Sequence, residues 1–286
     1  MCVYVINEFV NNLKVNKMKN ISKALALTTL TVAMSGSVQA FPLFQVQEGA
    51  IPNSGSNLIT ADKINGEYVE TVTITSGSTF STSLRLQLQG FSDTTTSSTP
   101  VSQLNAFNGY NMYLLYKSIG TFNPNGVGFD YFTTDAKFEL WVDDTQDTSF
   151  SDPATPLGST LAAVDFYTVN DTSSDDALMA SGIFLSGSAT QTCSGAAANN
   201  NCGSFGQTTT FNLENPLGVS YFVDPDPFYT LSIQSGNFNG FVPTPGTSQT
   251  ISGVANIIFN VPEPTTVALL GMGLLGFGLT KRNKKA

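Results

Sequence analysis

Short runs in which apolar and polar residues alternate occupy the chain between residues 41 and 261, and they constrain its fold most strongly. The clearest are residues 68–74 and residues 83–89, where three leucines share one side. Because successive side chains of a strand point to opposite faces, this period of two predicts half-buried β-strands. Further runs are residues 112–116, 138–142, 161–169, 183–185, 208–213, 229–233 and 254–259.

Glycine, asparagine, serine, aspartate and proline separate these runs, as expected of turns. Ile64-Asn65-Gly66 is a candidate hairpin turn, and residues 94–99 and 194–201 read as loops. The pattern predicts an all-β fold in which residues 41–261 form one antiparallel β-sandwich domain. Helical signals are confined to the two ends of the chain, where we expect an N-terminal signal helix and a C-terminal hydrophobic helix.

The first 40 residues have the composition of a secretory signal peptide. Residues 18–23 are basic and residues 24–34 are apolar, and Ala40 precedes the expected cleavage before Phe41. We interpret Met18 as the start of this signal and residues 1–17 as an upstream extension.

Charge is distributed unevenly along the chain. The whole chain has a net charge of −9, whereas residues 41–261 contain 19 acidic and four basic residues and carry −15. Such an acidic body repels phosphates, so no nucleic-acid partner is expected.

Residues 271–276 spell G-x-G-x-x-G, the spacing of a dinucleotide-binding loop. That motif requires a preceding strand and a following βαβ unit, which this context lacks. Residues 265–280 are uncharged and apolar, and a basic tip follows them, which predicts a stop-transfer segment with the body outside and the tip inside. The basic residues of the tip are Lys281, Arg282, Lys284 and Lys285.

Three features in order, Pro262-Glu263-Pro264, the apolar glycine-rich segment and the basic tip, resemble the PEP-CTERM sorting signal of Gram-negative bacteria. The resemblance implies that segment 262–286 is recognised by an exosortase in the inner membrane, with Pro262, Glu263 and Pro264 as the recognition triplet. The hydrophobic helix would hold the chain in that membrane transiently before sorting to the cell surface or the extracellular matrix.

The body also resembles the flocculation-associated PEP-CTERM proteins, in residues 44–49, 60–70, 138–148 and 226–228. This second resemblance is patchy in the Ser/Thr loop and around the cysteines. It implies a protein that takes part in exopolysaccharide-associated cell aggregation, in flocs or biofilms, with the polysaccharide matrix as its partner. It supplies no catalytic residues.

Enzymatic chemistry is restricted because the chain has no histidine. A Ser-His-Asp or Cys-His arrangement is therefore excluded, and a non-enzymatic protein is expected. The alternative that survives is a carboxylate pair of the glycosidase type, which would make the protein a secreted carbohydrate-active enzyme. Glu70 and Glu139 lie in alternating strands and are expected to face solvent; the full set of candidates is Glu67, Glu70, Glu139, Asp143 and Asp165.

Cys193 and Cys202 are the two cysteines of the exported part, and an even pair in a secreted chain favours a local disulfide. Trp141, the single tryptophan, is expected in the core.

Acidic clusters in predicted loops suggest calcium as the one conceivable cofactor. Asp143, Asp144 and Asp147 are the first candidate ligands, although their spacing does not match an EF-hand. Asp171, Asp175 and Asp176 cluster in another loop, and Asp224 and Asp226 alternate with prolines. The competing interpretation is that these acids only keep an exported protein soluble. A calcium-dependent carbohydrate-binding adhesin therefore stays open as a further alternative.

Overall fold

The computed structural model describes residues 41–52, 54–193, 202–228 and 230–260. The predicted signal helix, the hydrophobic sorting helix and the loop at 194–201 lie outside these ranges. No helix within them combines the length and the apolar character needed to cross a bilayer.

The described part of the chain contains fourteen strands, one short α-helix and two 3₁₀ turns, Glu48–Ala50 and Leu161–Ala163. The helix α1 spans Asn215–Tyr221, and the strands are β1 (Phe44–Gln47), β2 (Leu58–Ala61), β3 (Lys63–Ser76), β4 (Thr79–Ser92), β5 (Asn111–Pro124), β6 (Phe129–Asp143), β7 (Ser149–Ser151), β8 (Thr168–Asn170), β9 (Ala177–Gln191), β10 (Gly203–Thr210), β11 (Asn212–Leu213), β12 (Phe222–Asp224), β13 (Thr230–Ser235) and β14 (Ser248–Asn260).

Eight of these strands form one antiparallel sheet that closes on itself. Its order is β10-β13-β14-β3-β4-β5-β6-β9, and β9 then pairs back with β10. The all-β antiparallel prediction is confirmed, with one closed sheet in the place of two facing ones. Closure is achieved because the 15-residue β9 is long enough to pair with β6 and β10 together, for example at Phe138↔Gly182 and Gln207↔Gly187. A closed sheet leaves no unpaired edge.

One end of the closed sheet is filled by aromatic side chains. The ring of Phe259 lies 4.7–5.6 Å from the rings of Phe44, Phe211, Phe222 and Phe228. The small sheet β12-β1-β2 and helix α1 carry part of this cluster and cover that end. Large rings at these separations pack tightly and leave no space for a ligand.

The long connection from β6 to β9 folds back over the outer face of the sheet. Tyr167 is buried there with Tyr113 and Leu115, and its hydroxyl lies 3.0 Å from the hydroxyl of Thr71 on β3. The predicted strand at residues 161–169 is therefore wrong for most of its length. Its apolar residues cover the sheet from outside, and only β8 pairs, with the short strand β7.

The predicted hairpin turn at Ile64-Asn65-Gly66 is also wrong, because β3 runs through it. The register against β4 shifts between Asn65 and Gly66. A Cβ atom at position 66 would lie 2.6 Å from the Gln87 carbonyl oxygen. Glycine at this position therefore allows β3 and β4 to approach each other closely.

Glu70 faces the interior of the closed sheet, which corrects the expectation that it faces solvent. It belongs to the same row of β3 as Tyr68, Val72 and Ile74, all of which are buried. Burial raises the pKa of Glu70 to about 7, and a hydrogen bond from Thr82 opposes that rise. Glu139, by contrast, lies on the outer face of β6, where it accepts a hydrogen bond from Trp141 Nε1 at 3.2 Å.

The interior position of Glu70 predicts how stability depends on pH. The folded protein holds this proton up to about pH 7, whereas the unfolded chain releases it near 4.5. The contribution of Glu70 to stability is therefore full below pH 4.5, decreases as pH rises through this window, and changes no further above it. In urea unfolding, Glu70→Gln should gain about 1–3 kcal/mol over wild type between the two ends of the window. Glu139→Gln is the matched control and should track wild type; equal profiles for all three proteins would contradict an interior Glu70.

Candidate functional site

Asp143 organises the loop that follows β6. Its side chain is buried and accepts hydrogen bonds from three backbone N–H groups, those of Thr145 at 3.2 Å, Gln146 at 2.6 Å and Thr148 at 3.1 Å. Gln146 adopts a positive φ of 62° to allow this turn. A carboxylate that accepts several backbone N–H groups fixes the loop around itself.

Asp171 organises the loop before β9 in the same way. It accepts hydrogen bonds from the backbone N–H groups of Ser173 at 3.0 Å, Ser174 at 2.8 Å and Asp176 at 3.2 Å. Ser174 has a positive φ of 59°. The two loops, residues 143–148 and 171–176, are therefore built alike, and we refer to them together as the acidic loop pair.

The two loops contact each other through their side chains. Asp147 accepts hydrogen bonds from the hydroxyls of Thr172 and, at 2.7 Å, Ser173. Ser173 also lies 2.9 Å from the Thr145 hydroxyl and donates to Asp175 at 2.8 Å. Residues that are 25 to 28 positions apart in sequence thus form one polar cluster.

Carboxylate oxygens converge at this contact. One oxygen from each of Asp143, Asp147 and Asp175 lies within 4.8 Å of the other two, and the same holds for Asp171, Asp175 and Asp176. The structure thus brings the predicted ligands Asp143 and Asp147 together with Asp175. The predicted ligand Asp144 lies outside both sets of three, but its carboxyl group shares a hydrogen bond with Asp175.

This crowding perturbs the acid–base equilibria of the loop pair. The pKa of Asp144 rises to about 6, chiefly because its carboxyl shares a hydrogen bond with Asp175, and the pKa of Asp175 falls to about 2 for the same reason. Hydrogen bonds from Thr172 and Ser173 lower the pKa of Asp147. Two carboxyl groups that share a hydrogen bond hold one proton between them, and a bound cation could take the place of that proton.

Three oxygens of the acidic loop pair are buried and, unless Asp144 and Asp175 share a proton, have no hydrogen-bond partner. They are Oδ1 of Asp144, Oδ1 of Asp147 and Oδ2 of Asp175. Buried polar atoms are normally paired, so unpaired oxygens that cluster fit a bound hard cation. Carboxylate oxygens that lie within 4.8 Å of one another are close enough to bind one calcium ion, whose ligand oxygens lie about 2.3–2.6 Å from it. Asp143, Asp144, Asp147 and Asp175 are therefore the residues that could hold calcium.

A polar groove borders the acidic loop pair, with an empty volume of about 320 Å³ that includes space open to solvent. Asp143 and Thr148 belong to both the loop pair and the groove wall. Phe150 lies in the same wall, with its ring 5.0 Å from that of Tyr113. The wall is otherwise rich in amide side chains, namely Gln87, Gln89, Asn105 and Asn111. Amides beside aromatic rings provide the donors, acceptors and apolar faces that a sugar ring can use.

Trp141 is half-buried on the outer face of the sheet, where its ring stacks on Tyr113 at 6.5 Å and 7°. The prediction of a core tryptophan is thus accurate only in part. It packs against the small outer cluster of Tyr113, Leu115 and Tyr167 and not inside the closed sheet.

The candidate carboxylates for glycosidase chemistry are placed apart. Glu67 and Asp165 are exposed, Glu139 lies on the outer face, and Asp143 organises its loop. Glu70 faces the interior, on the other side of the sheet. The structure does not bring Glu70 together with Glu67 or Glu139.

A disulfide joins Cys193 to Cys202, as predicted, with their Cα atoms 5.1 Å apart. The bridge pins the end of the β9–β10 hairpin. Next to it, the Thr192 N–H donates to the Cys202 carbonyl at 2.6 Å.

Comparison with known proteins identifies the C-terminal segment. Residues 260–282 match the PEP-CTERM protein-sorting motif, which includes the predicted triplet Pro262, Glu263 and Pro264. No curated protein and no solved structure matches the chain. The chain is thus an exported protein processed by an exosortase. The triplet, the predicted cleavage at Ala40 and the basic tip lie outside the described residues, so their predicted roles stay predictions.

Proposed function

We propose that this exported protein acts without catalysis at the cell surface or in the extracellular matrix, where it takes part in exopolysaccharide-associated cell aggregation. The observation that carries the proposal is the sorting motif at residues 260–282, since a protein sorted to the cell surface or the extracellular space is in a position to meet an exopolysaccharide matrix. The acidic composition of the body supports it, because a net charge of −15 keeps an exported protein soluble.

The distribution of acidic side chains supports the non-enzymatic part of the proposal. A glycosidase requires two carboxyl groups about 5–10 Å apart on either side of one substrate bond. Glu70 is enclosed within the sheet, and the other glutamates of the central strands lie on its outer face. The acids that do converge, in the acidic loop pair, are held by backbone N–H groups and hydroxyls, which suits a structural or metal-binding role.

The sorting motif is tested by replacing Pro262, Glu263 and Pro264 with alanine while keeping the rest of segment 262–286. We expect the altered protein to stay in the membrane fraction, and the cells to lose most of their clumping. Pro243→Ala with Pro245→Ala is a matched control, since residues 242–245 also read Val-Pro-x-Pro but lie in the body. Unchanged fractionation together with unchanged clumping would argue against the proposal.

Calcium-dependent carbohydrate binding is a second candidate function, and the unpaired oxygens of the acidic loop pair favour it. A cation held by Asp143, Asp147 and Asp175 would supply positive charge that offsets the repulsion between the two loops. Because Asp143 and Thr148 also line the polar groove, a fixed loop pair would fix that wall of the groove. The exposed amides of Gln87 and Gln89 would then meet sugar hydroxyls in a constant arrangement.

Calcium binding should be visible as thermal stabilisation of the full chain. Saturating calcium should raise the melting temperature by about 5–10 °C, and a chelator should reverse this, because a ligand that binds only the folded state stabilises it. Asp147→Asn with Asp175→Asn should remove the response. Asp152→Asn, an exposed acid of the same connection, should keep it. A melting temperature that changes with neither calcium nor chelator would refute calcium binding by the acidic loop pair.

Carbohydrate binding is tested by affinity electrophoresis in gels that contain exopolysaccharide from the producing cells. Gln87→Ala with Gln89→Ala should weaken retardation by about tenfold, the effect of losing one or two hydrogen bonds. Gln234→Ala, an exposed amide on β13, should behave as wild type. Equal retardation of all three proteins would exclude the groove, and new reducing ends during incubation would favour the carbohydrate-active enzyme instead.

A further inference from the structure

The interior of the closed sheet is filled at one end and open at the other. Beyond the cluster around Phe259, an empty volume of about 590 Å³, including the part open to solvent, lies between the inward-facing side chains. All eight strands of the closed sheet contribute to its lining. A closed sheet of eight strands is just wide enough to hold one small ligand among its inward-facing side chains.

The cavity wall is dominated by aromatic rings. The rings of Phe80 and Tyr131 meet edge to face at 5.6 Å, and that of Phe241 lies 5.5 Å from Tyr131. Phe205 and Phe238 extend this wall. Such a lining favours an apolar ligand and presents ring faces that attract a cation.

Most polar groups in the wall satisfy one another. The Thr82 and Ser118 hydroxyls lie 3.0 Å apart, and the Tyr116 hydroxyl donates to Gln207 Oε1 at 3.0 Å. Among the described residues that line the cavity, Glu70 is the one acidic side chain and none is basic, so its only recorded partner is the hydroxyl of Thr82. An enclosed carboxylate without a compensating charge is costly, so the site is complementary to a positive charge.

The basic residues of the neighbouring strands are directed elsewhere. The guanidinium of Arg85 lies over the rings of Phe150 and Tyr167 on the outer face, at 5.1 and 5.8 Å. The ammonium of Lys117 lies over the Phe166 ring at 4.8 Å and donates to the Val164 carbonyl. Neither cation can compensate Glu70 from that side of the sheet.

The end of the cavity away from the Phe259 cluster is partly covered by the segment between β13 and β14, which carries Phe238 and Phe241. Gln191 Nε2 donates to the Phe241 carbonyl at 2.9 Å, and the Cys202 N–H donates to the Phe238 carbonyl at 3.0 Å. Tyr131 in turn donates to Gln191 Oε1 at 3.2 Å. The disulfide-pinned hairpin therefore holds the cover in place, which limits the cavity to small molecules.

We propose that the interior cavity binds a small apolar amine, whose ammonium group pairs with Glu70 and whose hydrocarbon part packs against the aromatic wall. A carboxylic acid of the same shape would be repelled by Glu70. An alcohol would fill the space but leave the carboxylate uncompensated. This function is independent of the sorting motif and of the acidic loop pair, since the cavity lies on the inner side of the sheet.

The probe is 4-phenylbutylamine, compared with 4-phenylbutanol and 4-phenylbutyrate at equal concentrations and at pH 8. The full chain is held in lipid nanodiscs, because detergent would compete for an apolar cavity. We expect the amine to raise the melting temperature by about 5 °C at saturation and the alcohol to have a smaller effect. The acid should have no effect.

Three variants separate the contributions to binding. Glu70→Gln should bind the amine at least tenfold more weakly and should bind the amine and the alcohol alike. Glu139→Gln, which changes a glutamate on the outer face, should respond as wild type. Ala189→Phe should fill the cavity and remove every response while far-UV circular dichroism stays unchanged.

Two results would overturn the proposal. The first is equal stabilisation of the wild-type protein by amine, alcohol and acid, which would mean that Glu70 does not select the ligand. The second is an amine response that survives in both Glu70→Gln and Ala189→Phe, which would place the ligand outside the cavity.

Discussion

The double pairing of β9 is the interaction on which the rest of the structure depends. Its first half pairs with β6, and its second half pairs with β10 as well as β6, so that the last strand of the sheet meets the first. This pairing divides every central strand into an enclosed face and an outer face. It gives Glu70 an interior position and Glu139 an outer one, although both residues occupy similar alternating patterns. It also leaves an outer surface on which the long β6–β9 connection can fold, and that connection carries the acidic loop pair.

The enclosed face is used in two different ways along its length. Around Phe259, the rings of the small sheet, together with those of Phe211 and Phe228, fill the space, and this packing contributes apolar burial that stabilises the domain. Toward the disulfide-pinned hairpin, the same inward rows carry Thr82, Ser118 and Glu70, and the space stays open. Polar residues at inward positions cost stability unless they are hydrogen-bonded, and a carboxylate such as that of Glu70 costs more when no opposite charge compensates it. The division between a filled end and a polar, open end is therefore what marks the cavity as a site rather than a packing defect.

The strands were largely predictable because alternation reports the exposure of each face directly, as in residues 68–74 and 83–89. The closure of the sheet could not be predicted, since apolar and polar residues alternate with the same period of two in a β-sandwich and in a closed sheet. The strand predicted at residues 161–169 was wrong because an apolar segment that covers a sheet from outside has the same composition as a strand. The ligand set of the acidic loop pair was predictable only in part: Asp143 and Asp147 follow a visible strand end. Their convergence with Asp175 depends on how a connection of more than 30 residues folds back, which no local pattern encodes.

The acidic loop pair and the groove form a single physical unit because they share Asp143. Its carboxylate is buried, accepts the N–H groups that shape one loop, contributes an oxygen to a convergent set, and forms part of the groove wall. Repulsion among carboxylates within 4.8 Å of one another opposes the contact between the loops, and either the proton shared by Asp144 and Asp175 or a bound cation offsets it. Thr148, whose N–H donates to Asp143, and Phe150 both line the groove, so we expect a change in the loop contact to reach the groove wall. The shape of the groove is thus coupled to the charge state of the loops, through covalent chain of only a few residues.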